Sequence, residues 1–238
     1  MSENLFNTLL FFGTVLLYCG GVGAAYWFFG KIGLYIWTAL SAVIANIEAL
    51  VQCNMFGLEL TLGNAIYASS FLVTDILSEK YDKKSAQKAV YIGLFTAFIW
   101  VAATQMITLF TPNANDFIMP HLQKVFHVLP RIALASVFTY AVSQTLDIHL
   151  YHLWWKLTGK TERFLWLRNN GSTLISQLTD TIVFTLIAFA GLFPWQYIFT
   201  LCWTTYMVKA LVALFDTPFL YLTRKITPLE QKQIARYE

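Results

Sequence analysis

Hydrophobic residues fall into seven long runs along the chain, separated by short segments in which polar residues gather. The runs cover residues 5–29, 33–52, 62–78, 89–110, 131–155, 172–193 and 198–222. Each is close to the roughly 20 residues that an α-helix needs to cross the hydrocarbon of a bilayer. The pattern therefore predicts an all-α, polytopic membrane helical bundle with about seven transmembrane helices.

The composition agrees with this pattern. Hydrophobic residues make up 57% of the 238 residues and charged residues 12%, against about 25% charged residues in soluble proteins. This excludes a water-soluble globular domain. Three cysteines lie in or beside apolar runs at no ligand spacing, so we expect neither a disulfide framework nor a zinc site.

Lysine and arginine alternate between the connections. Lys31 follows the first run, and basic residues are concentrated in the segments 79–88, 156–171 and 223–238, whereas the other connections carry only Lys124. The positive-inside rule then predicts a multi-pass protein of the cell inner (plasma) membrane, with its N-terminus outside and its C-terminus cytoplasmic. We expect the basic face to meet anionic membrane lipid and not nucleic acid, because no aromatic-interleaved basic module accompanies it.

Several ionisable residues fall inside predicted spans, where each such group costs roughly 2.5–3.5 kcal/mol on insertion scales. Asp147 and Asp180 each lie about nine residues from a cytoplasmic span end, or roughly 13 Å deep. They end two copies of the motif S-Q-x-x-D, at residues 143–147 and 176–180, so Gln144 and Gln177 share a helical face with them. We interpret the two faces as one polar substrate cleft; the alternative is bonding between helices.

Other polar groups in or near the spans are further candidates for substrate binding. Lys209 either forms a charge-neutralising bridge to one of the two aspartates or contacts the ligand directly. Arg131 either snorkels at the outer end of its span or guards an entrance, and Tyr140 either packs or stacks on a planar ligand. The remaining candidates are Asp75, Asn46 and Glu48.

No motif for a cofactor is found, and the chain has no Walker A, H-E-x-x-H or nucleophile-elbow sequence. His149 and His152 have the spacing of two metal ligands, but no third ligand is indicated. We therefore expect no metal, no cofactor and no enzymatic activity. An intramembrane enzyme that uses the aspartates as acid and base is a separate, alternative hypothesis.

Several stretches together resemble the queuosine precursor transporters, also called the vitamin uptake transporter family. The likeness covers roughly residues 40–222. It comprises Ala45-Asn46-Ile47, Thr74-Asp75-Ile76-Leu77-Ser78-Glu79-Lys80-Tyr81, Arg131-Ile132-Ala133-Leu134-Ala135-Ser136, Tyr140, Gln144, Asp147, His149, Arg168-Asn169-Asn170-Gly171-Ser172-Thr173, Gln177, Asp180-Thr181, Phe184, Ala188-Phe189, Lys209 and Thr217-Pro218. Asp82 stands where this family often has glycine.

The resemblance implies an importer of 7-deazaguanine bases, namely 7-cyano- or 7-aminomethyl-7-deazaguanine or queuine, salvaged for tRNA modification. It also adds Asn170 to the candidate substrate-binding residues. The family usually has six helices, which implies an extra N-terminal transmembrane helix at residues 1–32, a six-helix core at 33–222 and a cytoplasmic tail at 223–238. The first run carries Glu3 and no basic residue before Lys31, so we expect a retained helix and not a signal peptide.

Two further questions stay open at the level of sequence. The chain either transports its purine-like substrate by alternating access, with proton movement through one aspartate, or serves as a substrate-binding subunit of a separate ATPase complex. A small-residue patch, Gly20-x-x-x-Ala24 with Gly21 and Gly23, is compatible with a homodimer.

Overall fold

A computed structural model describes residues 3–127, 130–159, 164–191 and 193–229 of the chain, without the side chains of residues 59, 127, 130–133 and 224. Most of the predicted tail lies outside the described residues, as do Lys160 and Arg163. The helices are α1 (Glu3–Glu48), α2 (Gly63–Lys80), α3 (Lys83–Thr108), α4 (Met119–His127), α5 (Pro130–Thr158), α6 (Leu165–Phe189) and α7 (Trp195–Lys225).

Helix α1 is two antiparallel segments joined at Gly30. Its 46 residues would measure about 69 Å if straight, more than twice the roughly 30 Å of a bilayer core. Gly30 has φ 55° and ψ −135°, a conformation that favours glycine. The hydroxyl of Tyr18 donates to Glu48, so residues on either side of the break pack against each other. The two segments match the first two predicted runs, except that the second ends at Glu48.

The connection that follows is a β-hairpin, which the hydropathy pattern does not reveal. Strand β1 (Gln52–Met55) pairs antiparallel with β2 (Leu58–Thr61). The two turn residues, Phe56 and Gly57, have φ values of 56° and 75°, as a type I′ turn requires. Asn4 and Thr8 of α1 accept hydrogen bonds from the backbone of this turn. The hairpin therefore lies at the end of the bundle where the chain begins.

Helix α2 is the centre of the bundle. It is buried from Gly63 to Ser78 apart from the half-buried Tyr67, and it packs against α1, α3, α5 and α7, while α5 also packs along α6. By length and apolar composition, α1, α3, α6 and α7 are able to cross a membrane. Their exposed residues include Leu17, Phe95 and Phe199, as expected of a surface that contacts lipid. The bundle is all-α apart from the hairpin, as predicted, whereas seven crossings remain a prediction.

The described residues between α3 and α5 include one short helix. The sequence predicts a loop over residues 111–130, and the structure adds α4 at its end. Just before this helix, the carboxylate of Asp116 accepts the backbone N–H groups of Ile118 and Met119.

Candidate functional site

The two S-Q-x-x-D motifs bond to each other reciprocally where α5 and α6 pack together. The hydroxyl of Ser143 donates to Asp180 at 2.9 Å, and the hydroxyl of Ser176 donates to Asp147 at 2.8 Å. Antiparallel helices that carry the same motif allow this exchange, since the serine of each copy lies level with the aspartate of the other. The faces are opposed, as the sequence analysis expects.

The two carboxylates do not lie at one depth. Asp147 is level with Ser176, which precedes Asp180 by one helical turn, so the two differ by about 6 Å along the axis. The prediction of equal depth is wrong because the hydropathy runs misjudge the helix ends. Helix α5 continues to Thr158 and α6 begins already at Leu165.

A cavity of about 260 Å³ lies between α2, α5, α6 and α7 and extends to the hairpin. Its deep wall contains Asp180 and Lys209, and its other end contains residues of the hairpin and of the α6–α7 turn, such as Thr61 and Tyr197. The volume is just below the range of roughly 300–1,000 Å³ found for small-molecule sites. The cavity is therefore large enough to consider for a compact planar ligand.

Asp180 and Lys209 form a buried ion pair in the cavity wall. The ammonium of Lys209 also lies 5.6 Å from the centre of the Tyr67 ring, and Tyr67 lines the cavity as well. Two opposite charges removed from water stabilise each other only while both are present. Lys209 forms the charge-neutralising bridge to Asp180 and also lines the cavity, while its direct contact with a ligand stays a prediction.

A second, narrower pocket of about 30 Å³ shares Tyr67 and Ser136 with the larger cavity. Asn46 and Tyr140 line it, and the amide of Asn46 donates to the carbonyl of Ala42 on its own helix. A volume of this size holds about one or two water molecules. These two predicted site residues therefore adjoin the cavity without lining it.

Three predicted carboxylates and amides lie beyond the cavity, in the packed interior. Gln144 is fully buried, accepts from Thr74 at 3.2 Å and donates to Ser70 at 3.0 Å. Asp147 and Asp75 are also fully buried, and neither is among the residues that line the cavity.

Comparison with known proteins adds the family. The family model described as "Putative vitamin uptake transporter" matches residues 61–223, more than half of the chain. The chain belongs to this transporter family. A "Probable queuosine precursor transporter" of Bacillus subtilis (strain 168) is 38% identical over 231 residues, which cover 96% of each chain.

Two more distant relatives carry similar names. The "Queuosine precursor transporter" of Escherichia coli (strain K12) is 26% identical over 149 residues, 62% of this chain and 64% of that protein. A "Probable queuosine precursor transporter" of Haemophilus influenzae is 25% identical over 147 residues, 62% of this chain and 59% of that protein. No solved structure matches the chain. Family membership and the apolar helices make this protein a multi-pass membrane transporter and not an enzyme.

The remaining predicted residues of this transporter occupy three different surroundings. Asn170 donates to the Thr217 hydroxyl at 2.7 Å, and Glu48 is bonded to Tyr18 in α1. Gln177 is buried, and its side-chain oxygen has no hydrogen-bond partner within the described ranges. Arg131 lies in the first turn of α5, and its side chain is outside the described part of the chain.

The described residues add no support for a metal site at the two histidines or for a homodimer through the small-residue patch. Nδ1 of His149 lies 2.7 Å from the carbonyl oxygen of Thr145, and His152 stacks on Trp155. Within the described ranges, no three His, Cys, Asp or Glu side chains are grouped to hold a metal ion. Gly21 packs against Trp37 of the same chain, while the homodimer stays a prediction.

Sequence reasoning misjudged Arg168. The hydropathy pattern places it in the basic connection 156–171. In the structure it lies in α6, is fully buried and forms an ion pair with Glu79 of α2 at 3.1 Å. Tyr151 donates to Glu79 at 2.8 Å, and the guanidinium lies 5.0 Å from the centre of the Trp155 ring. This ion pair joins α2 to α6 at the end of the bundle opposite the hairpin. The prediction is wrong because α6 begins seven residues before the hydropathy run.

Sequence reasoning also missed polar residues of the cavity. Thr139 is 2% exposed, and its hydroxyl has no hydrogen-bond partner in the described structure. Thr181 and Thr185 line the cavity from α6, on the same face as Asp180 and Phe184. The i, i+4 spacing of these residues was the available signal.

Proposed function

We propose that this protein imports queuosine precursors across the inner (plasma) membrane for use in tRNA modification. The substrates are 7-deazaguanine bases such as 7-cyano-7-deazaguanine, 7-aminomethyl-7-deazaguanine or queuine. The names of the three relatives support this class of substrate, and one of these proteins aligns over 96% of both chains.

The observation that carries the proposal is the Asp180–Lys209 pair in the cavity wall. A deazaguanine edge has a ring N–H and an amino group as donors next to a carbonyl acceptor. The Asp180 carboxylate is able to accept the two donors, while the Lys209 ammonium donates to the carbonyl. Bound substrate thus replaces part of the contact between Asp180 and Lys209, and each of the two charged groups keeps a hydrogen-bond partner.

The other walls suit a planar base. Tyr67 and Phe184 offer ring faces, and the Thr139 hydroxyl offers a further polar contact. A purine that lacked the amino group would leave part of the carboxylate without a donor, at a cost of about 1–3 kcal/mol. This difference would favour guanine-like bases over other purines.

The expected orientation is compatible with import. With the N-terminus outside and the C-terminus cytoplasmic, the hairpin and the α6–α7 turn lie on the outer side. The cavity reaches toward both, whereas the Arg168–Glu79 ion pair joins α2 and α6 at the opposite end. This arrangement corresponds to an alternating-access transporter whose site is accessible from outside.

A binding screen with purified protein tests the proposal. Guanine, queuine, the two deazaguanine precursors and adenine are compared by equilibrium binding to the wild type and to Asp180→Asn. We expect a deazaguanine to bind best, adenine to bind weakly, and Asp180→Asn to lose most of the affinity. Equal binding of adenine and the deazaguanines would contradict the proposal. Uptake by the lone chain in proteoliposomes would exclude the alternative role as a subunit that needs a separate ATPase.

A further inference from the structure

Three aspartates from three different helices meet in the interior, away from the cavity. Asp75 of α2, Asp147 of α5 and Asp216 of α7 are each 0% exposed. Tyr151, one helical turn from Asp147, donates to Glu79, which lies one turn from Asp75, and Asp147 and Asp216 accept hydrogen bonds from Ser176 and Asn169 of α6. The three carboxylates are therefore near enough for their negative charges to repel one another. We call these three residues the carboxylate cluster.

The carboxylate cluster has more hydrogen-bond acceptors than donors. Asp147 accepts from Ser176 and Thr173, and Asp216 accepts from the Asn169 amide at 3.0 Å, in each case through one oxygen. Among the described residues, the second oxygen of each has no hydrogen-bond partner, and neither oxygen of Asp75 has one. The Thr173 hydroxyl near Asp75 donates to Asp147.

A further acceptor points to what the cluster lacks. The side-chain oxygen of Asn169 is buried without a donor, although the nitrogen of the same amide bonds to Asp216. Five buried acceptor atoms at this place are thus unsatisfied in the described structure. A proton bound to a carboxylate turns an acceptor into a donor and removes a charge, so protons satisfy the cluster in both respects.

The charged neighbours do not neutralise the cluster. Glu79 and Tyr151 face Asp75, and Arg168 next to them pairs with Glu79. On the side of α1, Cys19 faces Asp216. Lys209 pairs with Asp180. Three ionised carboxylates in this interior would each cost several kcal/mol without a cation.

Helix α6 connects the cluster with the cavity. Asp180 stands in the cavity wall, Ser176 bonds to Asp147 one turn away, and Asn169 bonds to Asp216 about 16 Å from Asp180 along the axis. The cluster therefore lies between the cavity and the Arg168–Glu79 ion pair. Within the described ranges no acidic group is arranged as a metal site, which favours protons over a metal cation as the occupant.

We propose that Asp75, Asp147 and Asp216 form a proton-binding site, separate from the substrate cavity, through which proton movement drives uptake. This inference rests on the proposed function for its role in transport but not for the binding of protons. It assigns different tasks to the two repeated motifs, since Asp180 holds substrate and Asp147 holds protons.

The transport test uses Asp75→Asn in proteoliposomes, with labelled 7-aminomethyl-7-deazaguanine or the base that binds best. We expect accumulation driven by a pH gradient to fall about tenfold or more, within the range typical of coupling between sites. Equilibrium binding at a pH at which the wild-type cluster is protonated should stay close to that of the wild type. Asp116→Asn makes the same chemical change in an exposed loop and should leave both unchanged. Normal pH-driven accumulation in Asp75→Asn, or uptake that follows a sodium gradient at clamped pH, would overturn the proposal.

A second test needs no substrate. Infrared difference spectra of the purified protein between acid and alkaline pH report protonated carboxyl groups. We expect Asp75→Asn to lose part of the buried carboxyl band that the wild type and Asp116→Asn retain, and Asp216→Asn serves the same purpose if Asp75→Asn fails to insert. An unchanged band in both variants refutes the proton site. If no deazaguanine binds the wild type, the proposed function fails while this test still decides the inference.

Discussion

The substitution Asp180→Asn separates a binding role from a packing role in the cavity wall. Asparagine has nearly the same shape as aspartate but no charge, and it presents an NH₂ group where the substrate needs an acceptor. The variant keeps an oxygen that can accept from Ser143. It removes the negative partner of Lys209.

The expected loss of affinity follows from two hydrogen bonds. A bond to a charged group is worth about 1.5–3 kcal/mol and a neutral one about 0.5–1.5. One charged bond becomes a neutral one and the other is lost, which costs roughly 2.5–4.5 kcal/mol and corresponds to about 70- to 2,000-fold weaker binding. Removing one partner of a buried ion pair also lowers the free energy of unfolding by about 3–5 kcal/mol, so abundance must be measured separately.

The assay measures precursor uptake in a strain unable to make the base, beside the amount of protein in the membrane. Asp116→Asn is the matched control, because water is able to replace the bonds of an exposed loop residue. The double variant Asp180→Asn with Lys209→Met removes both charges and should recover stability without recovering uptake. If Asp180→Asn binds and transports like the wild type at normal abundance, Asp180 does not hold the substrate.

Three further results are expected. Reporter fusions at the two ends should place the N-terminus outside and the C-terminus in the cytoplasm; both ends on one side would contradict an odd number of crossings. Glu79→Gln and Arg168→Gln should each lower the melting temperature strongly, because each leaves a buried charge unpaired. If the double variant loses as much as the two single variants together, the two residues do not act as a pair. Asp82 is exposed and caps α3, and the hydrogen bond from the backbone N–H of Ser85 lowers the pKa of its carboxyl. A carboxyl whose pKa is lowered by folding stabilises the fold at pH values above its ordinary pKa, and this stabilisation is lost as the pH falls through the folded pKa. The melting temperatures of the wild type and Asp82→Ala should therefore differ at neutral pH and converge in acid.

Much of the fold could be predicted because bilayer thickness sets the length of a hydrophobic run. The break at Gly30 was visible as a polar interruption between two such runs. The hairpin was not, since its register depends on a turn with positive φ at Phe56, a residue that rarely adopts it. The true start of α6 was also hidden, because Arg168 interrupts the apolar run and its buried partner Glu79 lies 89 residues away.

The site could be predicted less well, for a physical reason that the repeated motif illustrates. Sequence gives Asp147 and Asp180 the same neighbours within their own helices, and the structure gives them the same reciprocal serine bonds. What distinguishes them comes from other helices: α7 brings Lys209 to Asp180, whereas α2 brings Asp75 to Asp147. One carboxylate gains a cation and the other gains a second carboxylate.

This difference decides the chemistry that each aspartate is able to perform. A carboxylate that is paired with an ammonium has its charge balanced and offers a fixed acceptor pair to a ligand. A carboxylate beside another carboxylate in a buried place binds a proton in order to relieve the repulsion, and it releases that proton when the surroundings change. Because Ser176 of α6 bonds Asp147 one turn from Asp180, movement of α6 against α2 or α7 alters both environments together. The same helix therefore connects occupancy of the cavity with proton binding in the cluster, which is the connection that coupled uptake requires.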